Sequence, residues 1–227
     1  MVWNEELGKE IPEGWGVEKL GHIFDFLEGP GITKDKYCND DKGQNFINIK
    51  CLDDGFIDIS TCNKIQKKFL KGYEKFQLEE NDILISTSGT LGVYAIVTSE
   101  NLPLLLNTSI IRFRAREPKF YSYMFSFISS EYFKKLLYKY STGSVQKNIG
   151  PTHLEEFSLL IPKVEVIEQY NVILSSIIKR KIDLRKESKE LCSLRDFLLP
   201  VLMNGQVEFN ENINIKDIEV GKEEILT

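Results

Sequence analysis

The chain has 227 residues, of which 42% are hydrophobic and 28% charged, with a formal net charge of −5. That is room for one large domain, or one domain with an appendage, and an ordinary balance for a water-soluble fold. The acidic balance argues against a nucleic-acid binder that works by bulk charge alone, and there is no apolar run of about 18 residues, so no transmembrane helix is read. The acidic N-terminus, Met1 to Glu10, lacks an apolar core, so no export signal is read and a cytoplasmic location is expected.

Taken in chain order, Pro12-Glu13-Gly14-Trp15 ends an entry segment, and Val17–Phe26 could be a short helix or strand. Glu28-Gly29-Pro30-Gly31 signals a turn. Phe46-Ile47-Asn48-Ile49 and Phe56–Ile59 read as strands, with Asp53-Asp54-Gly55 as the turn between them. Asp82–Ile85 is a further strand that runs into Ser86-Thr87-Ser88-Gly89-Thr90, and Val93–Val97 continues it. Ser109–Ala115 alternates, with Ile111, Phe113 and Ala115 on one face and Arg112, Arg114 and Arg116 on the other. The spacing then becomes helical from Tyr121 to Tyr140, is broken at Ser141–Ser144, and returns to a strand at Phe157–Ile161, stopped by Pro162.

From there one pattern dominates. Tyr170, Ile177, Leu184, Leu191 and Leu198 recur every seven residues, and Val166, Ile173, Leu194 and Val201 fill the companion positions. This is a coiled-coil seam, and it predicts one long helix over 163–204 followed by a polar tail over 205–227. Arg180 and Glu187 interrupt the seam. In a parallel pair each would face its own copy; in an antiparallel pair Arg180 would approach Glu187 of the partner helix. An antiparallel homodimer held by Tyr170, Ile173, Ile177, Arg180, Leu184, Glu187, Leu191, Leu194 and Leu198 is therefore expected. The fold class is α+β: a β-rich domain over 1–162 and a long C-terminal coiled-coil helix.

Catalytic constellations are missing. No glycine-rich phosphate loop follows a strand, and His22 and His153 are isolated. Cys38, Cys51, Cys62 and Cys192 are widely spaced in sequence, so no metal site is read and reduced, buried thiols are expected. The acid pairs Asp40-Asp41, Asp53-Asp54 and Glu155-Glu156 read as solvated turn or cap residues. Basic residues cluster locally instead: Lys64, Lys67, Lys68, Lys71 and Lys75; Arg112, Arg114 and Arg116; Lys134, Lys135, Lys139 and Lys147.

Several stretches occur in a telling order. Pro12-Glu13-Gly14-Trp15 precedes Lys19-Leu20-Gly21, and Asn81-Asp82-Ile83-Leu84-Ile85-Ser86 lies in the β-rich domain. Gly143-Ser144-Val145-Gln146-Lys147-Asn148-Ile149 follows, then Leu154 through Ile161-Pro162 and Glu168-Gln169. Leu194-Arg195-Asp196-Phe197-Leu198-Leu199-Pro200 and Met203-Asn204-Gly205-Gln206-Val207 close the helix. In this order, from about residue 11 to 209, the chain resembles the DNA-specificity subunit of type I restriction-modification systems.

Members of that family usually carry two target-recognition domains, each associated with a helical region, and the helices pair antiparallel. Here one such domain and one helix are read, which resembles a half subunit that self-associates. The resemblance implies binding of double-stranded DNA without catalysis on this chain. S-adenosylmethionine would belong to a partner adenine methyltransferase subunit, and cleavage to a restriction subunit. A homodimer would read two inverted half-sites. Recognition needs donors for phosphates and short or forked polar side chains for base edges. Lys67, Lys68, Ser86, Ser88, Gly89, Thr90, Asn107, Arg112, Arg114, Thr142, Gly143, Ser144, Gln146 and Lys147 are the candidates. The other readings are a coiled-coil interaction module without DNA binding and a recognition fragment of a fused restriction-methylation enzyme.

Overall fold

The structure, a computed structural model, describes residues 1–39, 42–141 and 149–205. It opens with a hairpin of β1 (Val2–Asn4) and β2 (Lys9–Ile11). β3 (Gly16–Lys19), a one-turn helix α1 (Leu20–Ile23) and β4 (Phe24–Glu28) divide the stretch whose periodicity was mixed. The short strands β5 (Tyr37–Cys38), β6 (Gln44–Phe46), β7 (Leu52–Asp53), β8 (Phe56–Ile57) and β9 (Asn63–Ile65) follow. Next come β10 (Ile83–Ser86), β11 (Tyr94–Ile96), β12 (Leu104–Leu105) and β13 (Ile110–Ala115). The helices α2 (Tyr121–Ser129), α3 (Glu131–Tyr140) and α4 (Pro151–Glu155) precede β14 (Ser158–Ile161) and the long helix α5 (Val164–Met203).

Two four-stranded sheets organise the β-rich region. The first is antiparallel, in the order β11-β10-β13-β4. The second has the order β12-β6-β9-β5, with β12 parallel to β6. β14 returns to pair with β3, Ser158 opposite Lys19. The run Ile83-Leu84-Ile85 is continuous rather than alternating because the first sheet is covered on both faces. On one side Leu84, Ala95 and Ile110 join Ile47, Cys51, Leu52 and Ile57 in a single core. On the other, Phe113 packs edge-on against Phe26 and against Phe133 of α3, with ring centroids 4.6 and 5.9 Å apart.

α3 begins at Ser130, whose hydroxyl oxygen accepts the Phe133 N–H at 3.1 Å. Phe133 and Leu137, four residues apart, are buried, while Tyr132, Tyr138 and Tyr140 stay exposed. The strand expected at 46–49 is cut short: β6 ends at Phe46, and the Asn48 side chain accepts the Lys50 N–H at 2.9 Å to start a tight turn. The thiols also depart from the expectation of burial. Cys51 is buried, Cys38 and Cys62 are half-buried, and Cys192 is exposed on α5.

α5 ends as its sequence suggests. Pro200 is taken into the last turns, and Gly205 follows in the left-handed region at φ +65°. The chain divides into two compact units, Met1–Ile177 and a second beginning at Ile178, so the boundary falls inside α5. The early turns of α5 belong to the first unit. The Tyr170 hydroxyl lies 2.6 Å from Ser126 Oγ, Asn171 Nδ2 donates to the Lys119 carbonyl at 2.6 Å, and Ile167 is buried.

Candidate nucleic-acid interface

One rim of the first sheet gathers three loops. β4 and β10 end there, and β11 and β13 begin there. The 86–92 loop is closed by Ser86. Its hydroxyl donates to the Thr90 carbonyl and accepts the Val93 N–H at 2.9 Å. Gly89 and Gly92 both lie at positive φ, +69° and +82°, which lets the chain double back so tightly. Ser88 is half-buried, and Gly89 and Thr90 form the exposed tip.

The 107–109 loop lies beside it, because the Thr87 N–H donates to the Ser109 carbonyl at 2.9 Å. The 29–31 turn completes the rim. The Thr108 N–H donates to Pro30 O at 3.2 Å, and a Cβ on Gly29 would fall 2.1 Å from Asn107 O, so only glycine fits there. Thr87 Oγ1 and Asn107 Oδ1 are buried without a hydrogen-bond partner. α3 packs against the same loop: a Cβ on Gly92 would lie 3.2 Å from Leu137 Cδ1 and 3.9 Å from Lys134 Cγ. Lys134 pairs with Glu131 at 2.9 Å, and that hydrogen bond raises its pKa, with smaller contributions that include the charge of Asp54.

Of the expected residues, Ser88, Gly89 and Thr90 therefore sit on this rim. Ser86 and Asn107 are there but turned inward, so Ser86 shapes the loop rather than offering its hydroxyl to a partner. The rim adds two groups absent from the expected set: the exposed Thr108, and Lys134, whose basic cluster is visible in the sequence. Lys67 and Lys68 lie elsewhere, exposed on the turn that follows β9 of the second sheet. Thr142, Gly143, Ser144, Gln146 and Lys147 fall outside the described residues.

The arginine strand is a correction. Arg112 is buried and pairs with Asp25 across β4. Burial is the main influence on its pKa and lowers it, followed by the nearby charge of Arg114. Arg114 pairs with Asp82 and with Glu79, both at 2.7 Å. These hydrogen bonds to Asp82, and the charges around them, raise its pKa despite partial burial. The face opposite Ile111 and Phe113 is thus occupied by internal ion pairs and does not present free cations to DNA. The alternation is real, but neighbouring strands supply carboxylates that local spacing cannot show.

On α5 the seam is uncovered. Tyr170, Ile173, Ile177, Leu184, Leu191, Leu194 and Leu198 are all exposed, from 37% at Tyr170 to 61% at Ile173. Arg180 and Glu187 are exposed too. Among the described residues no cluster of three or more His, Cys, Asp or Glu could hold a metal, and no helix is long and apolar enough to cross a membrane.

A β-rich domain whose loops meet at one rim, followed by a long helix with a heptad seam, now has a counterpart. The family described as the type I restriction modification DNA specificity domain matches residues 12–191. The chain belongs to that family. It is 24% identical over 219 residues to the type I restriction enzyme MjaIX specificity subunit of Methanocaldococcus jannaschii, covering 93% of this chain and 48% of that protein. It is 29% identical over 117 residues to the EcoAI specificity subunit of Escherichia coli, covering 50% of this chain and 20% of that protein. The HsdS subunit of Thermoanaerobacter tengcongensis shares the fold, with a TM-score of 0.57 at 18% identity over 88% of this chain and 47% of that one. The S subunit from M. genitalium does so at 0.55 and 16%, over 86% and 47%. The chain spans about half the length of the curated relatives it matches over nearly its whole length.

Proposed function

We propose that the chain is a DNA-recognition subunit that selects the target of a type I restriction-modification complex and performs no catalysis itself. The observation that carries this reading is the rim, on a domain of the specificity family, where Ser88, Gly89, Thr90 and Thr108 converge beside Lys134 of α3. Hydroxyls, backbone N–H groups and a lysine at one edge suit phosphate contacts, and short polar side chains suit base edges in a major groove. The lysines at 67 and 68, on the second sheet, and the run 142–147, next to α3 in sequence, extend the same role.

Its ligand is double-stranded DNA. Its protein partners are an adenine methyltransferase subunit, which holds the S-adenosylmethionine, and a restriction subunit. The place of action is the cytoplasm. The exposed seam of α5 supports self-association: two such helices bury it antiparallel, Arg180 near Glu187 of the partner, and hold two recognition domains over an inverted, bipartite site. The test is whether the chain, with such a methyltransferase subunit, enriches one sequence from random duplexes, and whether exchanging Ser88–Thr90 or Thr108 changes the sequence enriched.

A further inference from the structure

Eleven positions apart in sequence, Cys51 and Cys62 stand with their sulfurs 3.3 Å apart, Cys62 donating its thiol proton to Cys51. They stand at the two feet of the segment 52–61, which contains the β7–β8 hairpin: Cys51 just before β7, and Cys62 after the 59–61 turn, just before β9. Those feet are already tied: the Asp58 N–H donates to the Cys51 carbonyl at 2.8 Å, and Asn48 Nδ2 donates to the Thr61 carbonyl at 3.1 Å. The tip is tied as well. The Gly55 N–H donates to Tyr94 O at 2.8 Å, and the Gly55 carbonyl accepts the Ile96 N–H at 3.0 Å. The sulfurs are therefore held as neighbours by the backbone around them, and a covalent bond needs them to close only to about 2.05 Å. Cys51 is buried, whereas Cys62 is partly open to solvent.

The chemistry of the pair is matched to this placement. Accepting the Cys62 thiol proton lowers the Cys51 thiol, and the same contact pushes Cys62 up. The thiolate of the pair therefore sits on Cys51, where it takes the Cys62 proton as the more accessible Cys62 sulfur attacks. No part of the proposed DNA-reading role uses either thiol.

We propose that Cys51 and Cys62 form a reversible dithiol–disulfide site that reacts with small disulfides of the glutathione type. The Cys62 sulfur attacks one sulfur of the small disulfide as its proton passes to the Cys51 thiolate, and one small thiolate leaves and takes that proton from Cys51. Cys62 is then in a mixed disulfide. The Cys51 thiolate attacks the Cys62 sulfur, the second small thiolate leaves, and the Cys51–Cys62 bond forms. Two electrons pass from the protein to the small disulfide; the one proton the pair shares ends on one released small thiol, and the other leaves as a thiolate that solvent protonates. The product staples residues 52–61 as a closed loop against β11.

The full chain carrying Cys38→Ser and Cys192→Ser tests this with oxidised glutathione as the probe. The expected result is loss of both remaining thiols with no glutathione retained, and a Cys51–Cys62 linked peptide on non-reducing digestion. Dithiothreitol reverses both. The thermal midpoint rises by roughly 5–10 °C on oxidation, the size expected for closing a short loop. The Cys51→Ser chain should instead keep one glutathione on Cys62. The same digest on the unsubstituted chain reads the linked peptide even if the double variant does not fold. Glutathione retained on Cys62 in the presence of Cys51, or both thiols still open to alkylation after denaturation, would overturn the proposal.

Discussion

Arg114 and Asp82 meet in a two-pronged pair beside β10. The arginine Nε and Nη2 donate to the two carboxylate oxygens at 2.7 Å each. The Asp82 side chain is 1% exposed, and its carboxylate also accepts the Glu79 N–H at 2.8 Å. This one carboxylate therefore holds a turn and neutralises a strand. Asp82→Ala leaves the half-buried arginine with Glu79 alone and frees the 79–82 turn, and is expected to cost about 1–3 kcal/mol in urea denaturation.

Arg112 and Asp25 are an unequal pair. The Arg112 side chain is 6% exposed and its Nε has no partner, while Asp25 is 44% exposed. Removing the acid strands a buried cation; removing the cation leaves a carboxylate that water can reach. Asp25→Ala is expected to cost about 1–3 kcal/mol, and Arg112→Met to change stability by less than about 1 kcal/mol. If DNA binding is measured on Arg112→Met, its salt dependence should match the parent chain, because that cation is not available to phosphates.

Two tyrosines on α2 govern the alkaline limit. Burial pushes both Tyr121 and Tyr123 up to about 12, from an ordinary value of 10.0. Both hold their protons more tightly folded than unfolded. Their contribution to stability is complete below pH 10 and is lost as the pH rises through 12. Tyr121→Phe and Tyr123→Phe should each flatten the fall in the urea midpoint between pH 10 and 12. The two should differ at neutral pH: Tyr121 has no hydrogen-bond partner, so its loss is near neutral. The Tyr123 hydroxyl donates to Leu160 O, and its loss is expected to cost about 1 kcal/mol.

The proposed antiparallel pairing of two α5 helices is tested by charge reversal. Arg180→Glu alone should weaken the dimer in sedimentation equilibrium, and Arg180→Glu with Glu187→Arg should restore it. The native Cys192 gives a second readout. In a pair centred between 180 and 187 its copy lies about 25 Å away along the axis, whereas a parallel pair sets Cys192 beside itself. Efficient Cys192–Cys192 crosslinking would contradict the antiparallel pair.

The long helix was the most legible element, because a heptad run bounded by Pro162 and Gly205 is a local pattern. The helix runs from Val164 to Met203. The 53–55 turn was legible for the same reason, since Asp54 and Gly55 both take positive φ. The arginine strand was legible in its alternation and not in its consequence. Arg112 and Asp25 are 87 residues apart, and Arg114 and Asp82 are 32 apart, so nothing local announces the pairs. Nor could the sequence say that Ser86 would turn inward while Thr90 stayed out, because the 86–92 loop is fixed by contacts with α3 and the 107–109 loop. Cys51 and Cys62 are another case: spacing separates them, and a hairpin brings them together.

Sequence selection tests most directly whether the chain reads DNA. The full chain is incubated with random duplexes, with and without an adenine methyltransferase subunit of a type I system, at several salt concentrations. The expected result is enrichment of one bipartite inverted sequence, affinity that falls with salt, and a changed half-site when Ser88–Thr90 or Thr108 is replaced. Enrichment of no sequence under any of these conditions would contradict it.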